Sequence, residues 1–355
     1  MIRIALARDY NGAMSGGRNQ TTAYSGAGVD VALGNQVKSG IQRKISQTHG
    51  PEVLGKLGGF GGFFRAGICR RMNDPVLVSS IDGVGTKLKI AFMTGRHESV
   101  GRDLVNHCVN DIAVTGAKPL FFLDYLGTAN LDPAVAAGII EGLAGACREA
   151  GCALIGGETA QMPDLYSAGE YDLAGCIVGV VERARIIDGS RIRVGDVVLG
   201  LPSNGLHTNG YSLARKVFFD KMKLTPESRV KGLRGRLGSE LLRVHANYQP
   251  ALAGLGRSLK GAAHITGGGL IDNIPRILPA GVDARIELSS WRPPTIFRVL
   301  ESEGGIARSE MYHVFNMGIG MVVVVSPRAA ERAAASAGAM RIGRIVEGSG
   351  VVQLV

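Results

Sequence analysis

The sequence predicts two domains of mixed α and β structure, of the α+β or α/β class. Length and composition are the first ground: 355 residues, 45% apolar and 20% charged, can fill two ordinary hydrophobic cores and are too apolar for disorder. The second is that β-branched runs alternate with segments of helical spacing in both halves. The third is a turn-rich stretch at 186–194, with Asp188-Gly189 inside it, that separates the two series. Residues 1–22 are then a loose extension, 23–190 a first domain and 191–355 a second. Periodicity alone does not separate α+β from α/β.

Within the extension, Ser15–Gln20 (SGGRNQ) carries no apolar pattern. Pro75–Ile81 reads as a buried strand ending at Asp82. Residues 99–115 have helical spacing, with Val100, Leu104, Cys108 and Ile112 on one face. Pro119–Leu126 (PLFFLDYL) is another strand. Asp132 is placed to cap a helix through Ala150, with Pro133 at its first position. Ala153–Ile155 leads into a Gly156-Gly157 loop, and Leu173–Val181 is a further strand. The second series starts with a strand at Gly195–Leu201, then helices over 212–221 and 239–255. A turn at Thr266–Gly269 and strands at Val282–Leu288 and Gly320–Val325 complete it.

Composition removes several classes of function. The net charge is +10, but the basic residues are dispersed and aromatics are only 5%, so no nucleic-acid stacking surface is present. The apolar runs are far short of the ~20 residues a membrane helix needs, and residues 1–8 lack a secretory signal pattern. Five Cys without metal or CxxC spacing fit reduced thiols and a cytoplasmic location. Gly is abundant, 52 residues, and clusters where backbone must turn or approach a ligand.

Familiar nucleotide signatures fail. Gly50–Lys56 fits GxxxxGK, but Leu57 stands where a Ser or Thr should hold the metal. No GxGxxG follows a strand. What recurs is an acidic or Gly-rich segment at a strand end. Asp82-Gly83-Val84-Gly85-Thr86-Lys87 gathers a carboxylate for magnesium with amides, a hydroxyl and an ammonium for phosphate. Asn110-Asp111 on the next helix and Gly156-Gly157-Glu158-Thr159 add two more acidic positions, which together point to a metal–triphosphate site. The Leu57–Phe63 segment (LGGFGGF) suits a mobile flap over phosphates. In the second half, His207–Ser212 and His264–Gly269 are polar Gly-containing loops that open helices, where free amides bind anions.

Ala27–Asp30 (AGVD), Gly58–Gly62, DGVGTK at 82–87, VND at 109–111, PLFFLDY at 119–125, GGETAQMP at 156–163, HTNGYSL at 207–213 and TGGG at 266–269 occur in this order. With this series, from about residue 23 to the C-terminus, the chain resembles the phosphoribosylformylglycinamidine cyclo-ligase (aminoimidazole ribonucleotide synthetase) family. Related kinases and synthetases share the DGVGTK-like and ND elements but not the whole series. The resemblance implies an N-terminal domain whose strands join a partner's in a dimer-spanning barrel, and a C-terminal α/β domain. It implies a homodimer and ATP-dependent cyclisation of formylglycinamidine ribonucleotide to 5-aminoimidazole ribonucleotide, with ATP and Mg2+.

Carried onto this sequence, the resemblance places Asp82, Asp111 and His264 at the catalytic centre, and Asp82, Asp111 and Glu158 on the magnesium–nucleotide. Gly58, Gly59, Gly61, Gly62, Gly83, Gly85, Thr86 and Lys87 would line the ATP phosphates. His207, Thr208, Asn209, Thr266, Gly267 and Gly268 would face the phosphoribosyl amidine. The chain departs from the family pattern at Ser25 and Gln42, where the family carries Lys, and its extension before Ala23 leaves Met14 as an alternative start. The competing readings are thiamine monophosphate kinase, selenophosphate synthetase, which lacks support without a Cys/Lys pair near the N-terminus, and a non-catalytic nucleotide-binding regulator.

Overall fold

The computed structural model describes residue 29, residues 31–55 and residues 58–355. The expected extension, Met14, Ser25, Leu57 and all of the AGVD motif but Val29 lie outside the described residues.

In the first half, α1 (Val31–Ser46) leads to a short hairpin, β1 (Val53–Leu54) with β2 (Phe63–Phe64). Then come β3 (Pro75–Gly83), α2 (Leu88–Thr94), α3 (Glu98–Ala113) and β4 (Lys118–Thr128). They are followed by α4 (Pro133–Ala150), β5 (Ala153–Gln161) and β6 (Tyr171–Glu182). The sheet order is β3-β6-β4-β5, with β6 antiparallel to both neighbours and β4 parallel to β5. α3 packs on β3, β4 and β6, and α4 packs on α3. The helix expected over 99–115 buries Val100, Leu104, Cys108 and Ile112 completely. Asp132 caps α4 by accepting from the Ala134 and Val135 amides at 2.8 and 3.2 Å.

Gly156-Gly157 is not a loop. Both residues lie inside β5, where Asp124 pairs with Gly157 after a register slip between Phe122 and Leu123. A Cβ on Gly157 would sit 2.5 Å from the Asp124 carbonyl oxygen. Here glycine serves a close strand approach rather than a turn.

The second half contains β7 (Val197–Pro202), α5 (Tyr211–Arg215), α6 (Leu237–Leu241), α7 (Gln249–Leu255), β8 (Leu259–His264) and α8 (Gly269–Asn273). It continues with β9 (Val282–Ile286), α9 (Thr295–Gly304), α10 (Arg308–Val314) and β10 (Ile319–Val325). It closes with α11 (Pro327–Ala337), β11 (Met340–Glu347) and β12 (Val352–Leu354). The sheet order is β12-β9-β11-β7-β10-β8, and only the β12–β9 pair is parallel. The expected α/β domain is therefore corrected to a largely antiparallel α+β arrangement. Every residue of β10 is buried, with Val322 and Val324 in one hydrophobic cluster and Val323 and Val325 in another, so both sheet faces are covered.

The helix expected over 239–255 is broken. Residues 243–248 run without helical structure between α6 and α7, because polar side chains of α3 take their backbone groups. Asp103 accepts from the His245 amide at 2.7 Å, and Asn106 donates to the His245 carbonyl at 2.7 Å. Asn110 donates to the Ala246 carbonyl and accepts from the Tyr248 amide, both at 2.8 Å. These bonds keep those four backbone groups paired outside a helix. The helix expected over 212–221 starts as α5 and ends in a π-turn at Lys216–Lys221.

Candidate active site

The two halves meet around the C-terminal end of β3. Asp82 leaves that strand beside α3, whose residues His107 and Asp111 share a face one helical turn apart. β8 ends at His264, which reaches the same place from the second half. His107 Nε2 lies 2.8 Å from Asp82 Oδ2 and 4.0 Å from Asp111 Oδ2. His264 Nδ1 lies 2.8 Å from Asp111 Oδ1, and Ser80 donates to Asp111 Oδ2 at 3.1 Å. Behind the carboxylates, His107 Nδ1 meets Thr208 Oγ1 at 2.7 Å, and Thr208 Oγ1 meets His245 Nδ1 at 3.2 Å. His245 Nε2 then meets His264 Nε2 at 2.9 Å. The chain of contacts from Asp82 through His107, Thr208, His245 and His264 to Asp111 is continuous.

Electrostatics follow from this arrangement. Burial opposes ionisation of Asp82 and Asp111, but the bonds and charges of His107 and His264 outweigh it and hold both carboxyls below the usual range. Burial lowers His264 and pushes His245 and His207 well down, so His245 and His207 are neutral. Burial also works against charge on His107, yet Asp82 and Asp111 raise it above the ordinary value. Asp82 and Asp111 keep 39% and 26% side-chain exposure, so this ionised pair is open to a ligand.

Several expected contacts change. His264 is buried and has both ring nitrogens engaged, Nδ1 with Asp111 and Nε2 with His245. Thr208 is buried between two imidazoles, and the His207 ring is 1% exposed and stacked on His245 at 4.1 Å. Neither side chain offers a surface to substrate. Lys87, expected on phosphate, is fully buried. Its ammonium pairs with Asp103 at 2.8 Å and donates to the His207 and Arg243 carbonyls at 3.0 and 2.7 Å, which uses all three of its protons. Glu158 is exposed on β5, three strands from Asp82 and about 14 Å away at ordinary strand spacing, so one ion cannot join it to Asp82 and Asp111.

Other expected residues remain accessible. Gly83 is partly buried, Gly85 and Thr86 are exposed, and Thr86 shares a hydrogen bond of 3.0 Å with Ser212 of the second half. Gly58, Gly59, Gly61 and Gly62 are exposed in the loop of the β1–β2 hairpin, with Phe60 fully exposed at its tip. The Thr266–Gly269 turn is shaped by Asn273, which donates to the Gly267 and Gly269 carbonyls at 3.1 and 2.8 Å. Gly268 and Gly269 take φ of 92° and 59°, a region costly for other residues. Asn209 adjoins Gly267, and its buried Nδ2 has no protein partner. The sequence reading missed His107, His245, Asp103, Asn106 and Asn273. Only His107 left a local signal, its i, i+4 spacing to Asp111.

Comparison with known proteins extends this picture. Residues 65–181 match the family described as AIR synthase related protein, N-terminal domain, and residues 193–355 match its C-terminal domain. The chain is 52% identical over 310 residues to a phosphoribosylformylglycinamidine cyclo-ligase of Geotalea uraniireducens strain Rf4, covering 87% of this chain and 89% of the relative. It is 49% identical over 336 residues to the protein of the same name from Geobacillus thermodenitrificans strain NG80-2, covering 93% and 97%. Among solved structures, thiamine-monophosphate kinase of Stenotrophomonas maltophilia K279a superposes with a TM-score of 0.66 at 17% identity, covering 92% of this chain and 96% of that one. The hydrogenase maturation protein HypE in complex with ATP superposes with a TM-score of 0.66 at 18% identity, covering 93% of each chain. The last two likenesses concern the fold alone.

Proposed function

The chain belongs to the phosphoribosylformylglycinamidine cyclo-ligase family, and from that premise we propose how its residues serve the reaction. It is an enzyme, a ligase of purine biosynthesis that uses ATP to convert formylglycinamidine ribonucleotide into 5-aminoimidazole ribonucleotide, ADP and phosphate. The formyl oxygen is a poor leaving group. Transfer of the terminal phosphoryl group of ATP to that oxygen forms a P–O bond and releases ADP. The amidine nitrogen then attacks the formyl carbon, a C–N bond closes the ring, the C–O bond breaks with loss of phosphate, and the nitrogen gives its proton to solvent. Such chemistry depends on charge neutralisation and positioning.

The observation that carries the assignment of residues is that Asp82 and Asp111 are both ionised and both open, at the junction of the two halves. Their oxygens suit Mg2+, which when bound would offset the triphosphate charge. Gly85 and Thr86 beside Asp82 would take phosphate oxygens, and the Gly58–Gly62 loop would close over them. Glu158 would serve a more distant part of the nucleotide. Asn209, with its unpartnered Nδ2, and the Thr266–Gly268 turn would hold the phosphoribosyl amidine. ADP, phosphate and aminoimidazole ribonucleotide should form in equal amounts, and only when the amidine is supplied. ATP hydrolysis that ignores the amidine would sink this reading.

We further propose a homodimer working in the cytoplasm, where its five unpaired cysteines stay reduced. The face of the first sheet away from α3 leaves Leu77 and Ile81 65% and 73% exposed. A second copy covering this face would remove it from water and extend the four strands towards a closed barrel. Light scattering should report twice the 37.2 kDa chain mass, and a stable active monomer would count against it.

A further inference from the structure

We propose that a cavity at the opposite end of the first sheet from Asp82 binds a nucleoside monophosphate or a phosphorylated ring compound of that size. The site lies outside the cyclisation centre, and none of its residues takes part in the reaction described above.

The cavity holds about 460 Å³, within the roughly 300–1,000 Å³ of small-molecule sites. Its walls come from the base of the β1–β2 hairpin, the 3-10 turn Ala66–Arg71 and the start of β4. Strand register gives its separation from the carboxylates. Asp82 pairs with Gly175 of β6, whereas Lys118 pairs with Val180 of the same strand. At ordinary strand rise those five residues span about 17 Å, so a phosphate held beside Lys118 does not reach Asp82.

Charge sets the ligand class. Arg65, Arg71 and Lys118 line the cavity with Glu52 as the one acid, three positive charges against one negative. None of the three cations has a side-chain hydrogen bond or ion pair among the described residues. Arg183, just past the end of β6, does find one, with Asp74 at 3.3 Å. The three unpaired cations come from separate segments and repel one another until an anion joins them. Their balance with Glu52 matches the charge of about −1.5 to −2 on a phosphomonoester at neutral pH. The two guanidiniums suit paired N–H bonds to phosphate oxygens, and Lys118 adds a point charge. Arg65 is tied to Glu52 by its own amide, which donates to the Glu52 carbonyl at 2.6 Å. Phe64 and Ile68 give the cavity an apolar wall, with Phe64 set against Phe121 at 5.3 Å between ring centres. That wall favours a phosphate that carries a ring over a bare anion, and the Glu52 carboxylate can accept from sugar hydroxyls.

The test is equilibrium dialysis of the full chain with AMP, and separately with inorganic phosphate, without added metal or amidine. One AMP per chain should bind saturably. Arg71→Ala and Lys118→Ala should each weaken it by about tenfold or more, the loss of one charge-assisted contact. Ile68→Ala should weaken AMP and leave inorganic phosphate unchanged, whereas Glu52→Gln should tighten inorganic phosphate. Arg332→Ala, an exposed arginine on α11, should change neither. Lys118→Ala should keep normal turnover with ATP and the amidine, which shows that its loss of AMP binding is not a loss of fold. Asp82→Asn should bind AMP as the unaltered chain does. No saturable binding at millimolar AMP would overturn the site, as would unchanged binding by Arg71→Ala and Lys118→Ala. Binding lost in Asp82→Asn but kept in Arg71→Ala would also overturn it, by placing the AMP at the cyclisation centre. None of these results bears on the role of Asp82 in turnover, which is measured with Mg2+ and ATP.

Discussion

Asp82 and Asp111 are ionised in surroundings that disfavour charge, and they stay so because His107 and His264 each offer a hydrogen bond and positive potential. Asp82→Asn keeps the side-chain shape and removes only the charge. Turnover should fall by about two orders of magnitude or more, as when one charged transition-state contact is lost, with the fold retained. Asp111→Asn should behave alike. The double variant should lose less than the product of the single losses if, as proposed, both residues serve one cation. Steady-state kinetics at saturating Mg2+ decide this, and near-normal turnover by Asp82→Asn would end its metal role. Both aspartates were legible in sequence as local patterns, an Asp-Gly at a strand end and an Asn-Asp on a helix. His245 was not. Its place depends on Asp103, 142 residues earlier, taking its amide out of a helix, and no window of sequence contains that bond. Lys87 misled for the same reason: a Lys beside a Gly-rich turn suggests phosphate, while its partners Asp103 and Arg243 are remote.

At the scale of elements, spacing gave the helices but not how near they come. α3 and α4 cross at glycines, where a Cβ on Gly101 would lie 2.3 Å from the Ile139 carbonyl oxygen and one on Gly142 2.0 Å from that of Glu98. On propensity alone, Gly142→Ala should stabilise α4 by about 1 kcal/mol. The contact reverses the sign, since the clash is with backbone that cannot swing aside. A net loss of roughly 1–3 kcal/mol is expected, seen as a lower Tm. Gly138 in the same helix is the control, because the nearest atom to its added Cβ is 3.7 Å away, and Gly138→Ala should be neutral or stabilising. A raised Tm for Gly142→Ala would mean the helices have room to part. Both the Gly156-Gly157 misreading and this sign reversal have one cause. A glycine in sequence marks either a turn or a close approach, and only the neighbouring chain tells which.

For the whole molecule, two domains of mixed content could be read from alternation, but their joint could not, because it is made of long-range contacts. One hydrophobic cluster runs from Val84 and Leu88 in the first half to Tyr211, Phe218 and Leu241 in the second. At its edge Lys87, from the first half, holds the His207 and Arg243 carbonyls of the second and pairs with Asp103. That ammonium is a pin through both halves. Lys87→Met keeps the apolar stem but strands the Asp103 carboxylate away from water and frees two carbonyls. The loss should be about 3–5 kcal/mol, the cost of breaking a buried pair from one side. Adding Asp103→Asn removes the stranded charge and keeps an acceptor for the His245 amide, so the double variant should be more stable than Lys87→Met alone. Urea unfolding of the three variants reads this order directly. A loss under about 1 kcal/mol for Lys87→Met would place the pair with ordinary surface bridges and transfer the joining of the halves to the apolar cluster.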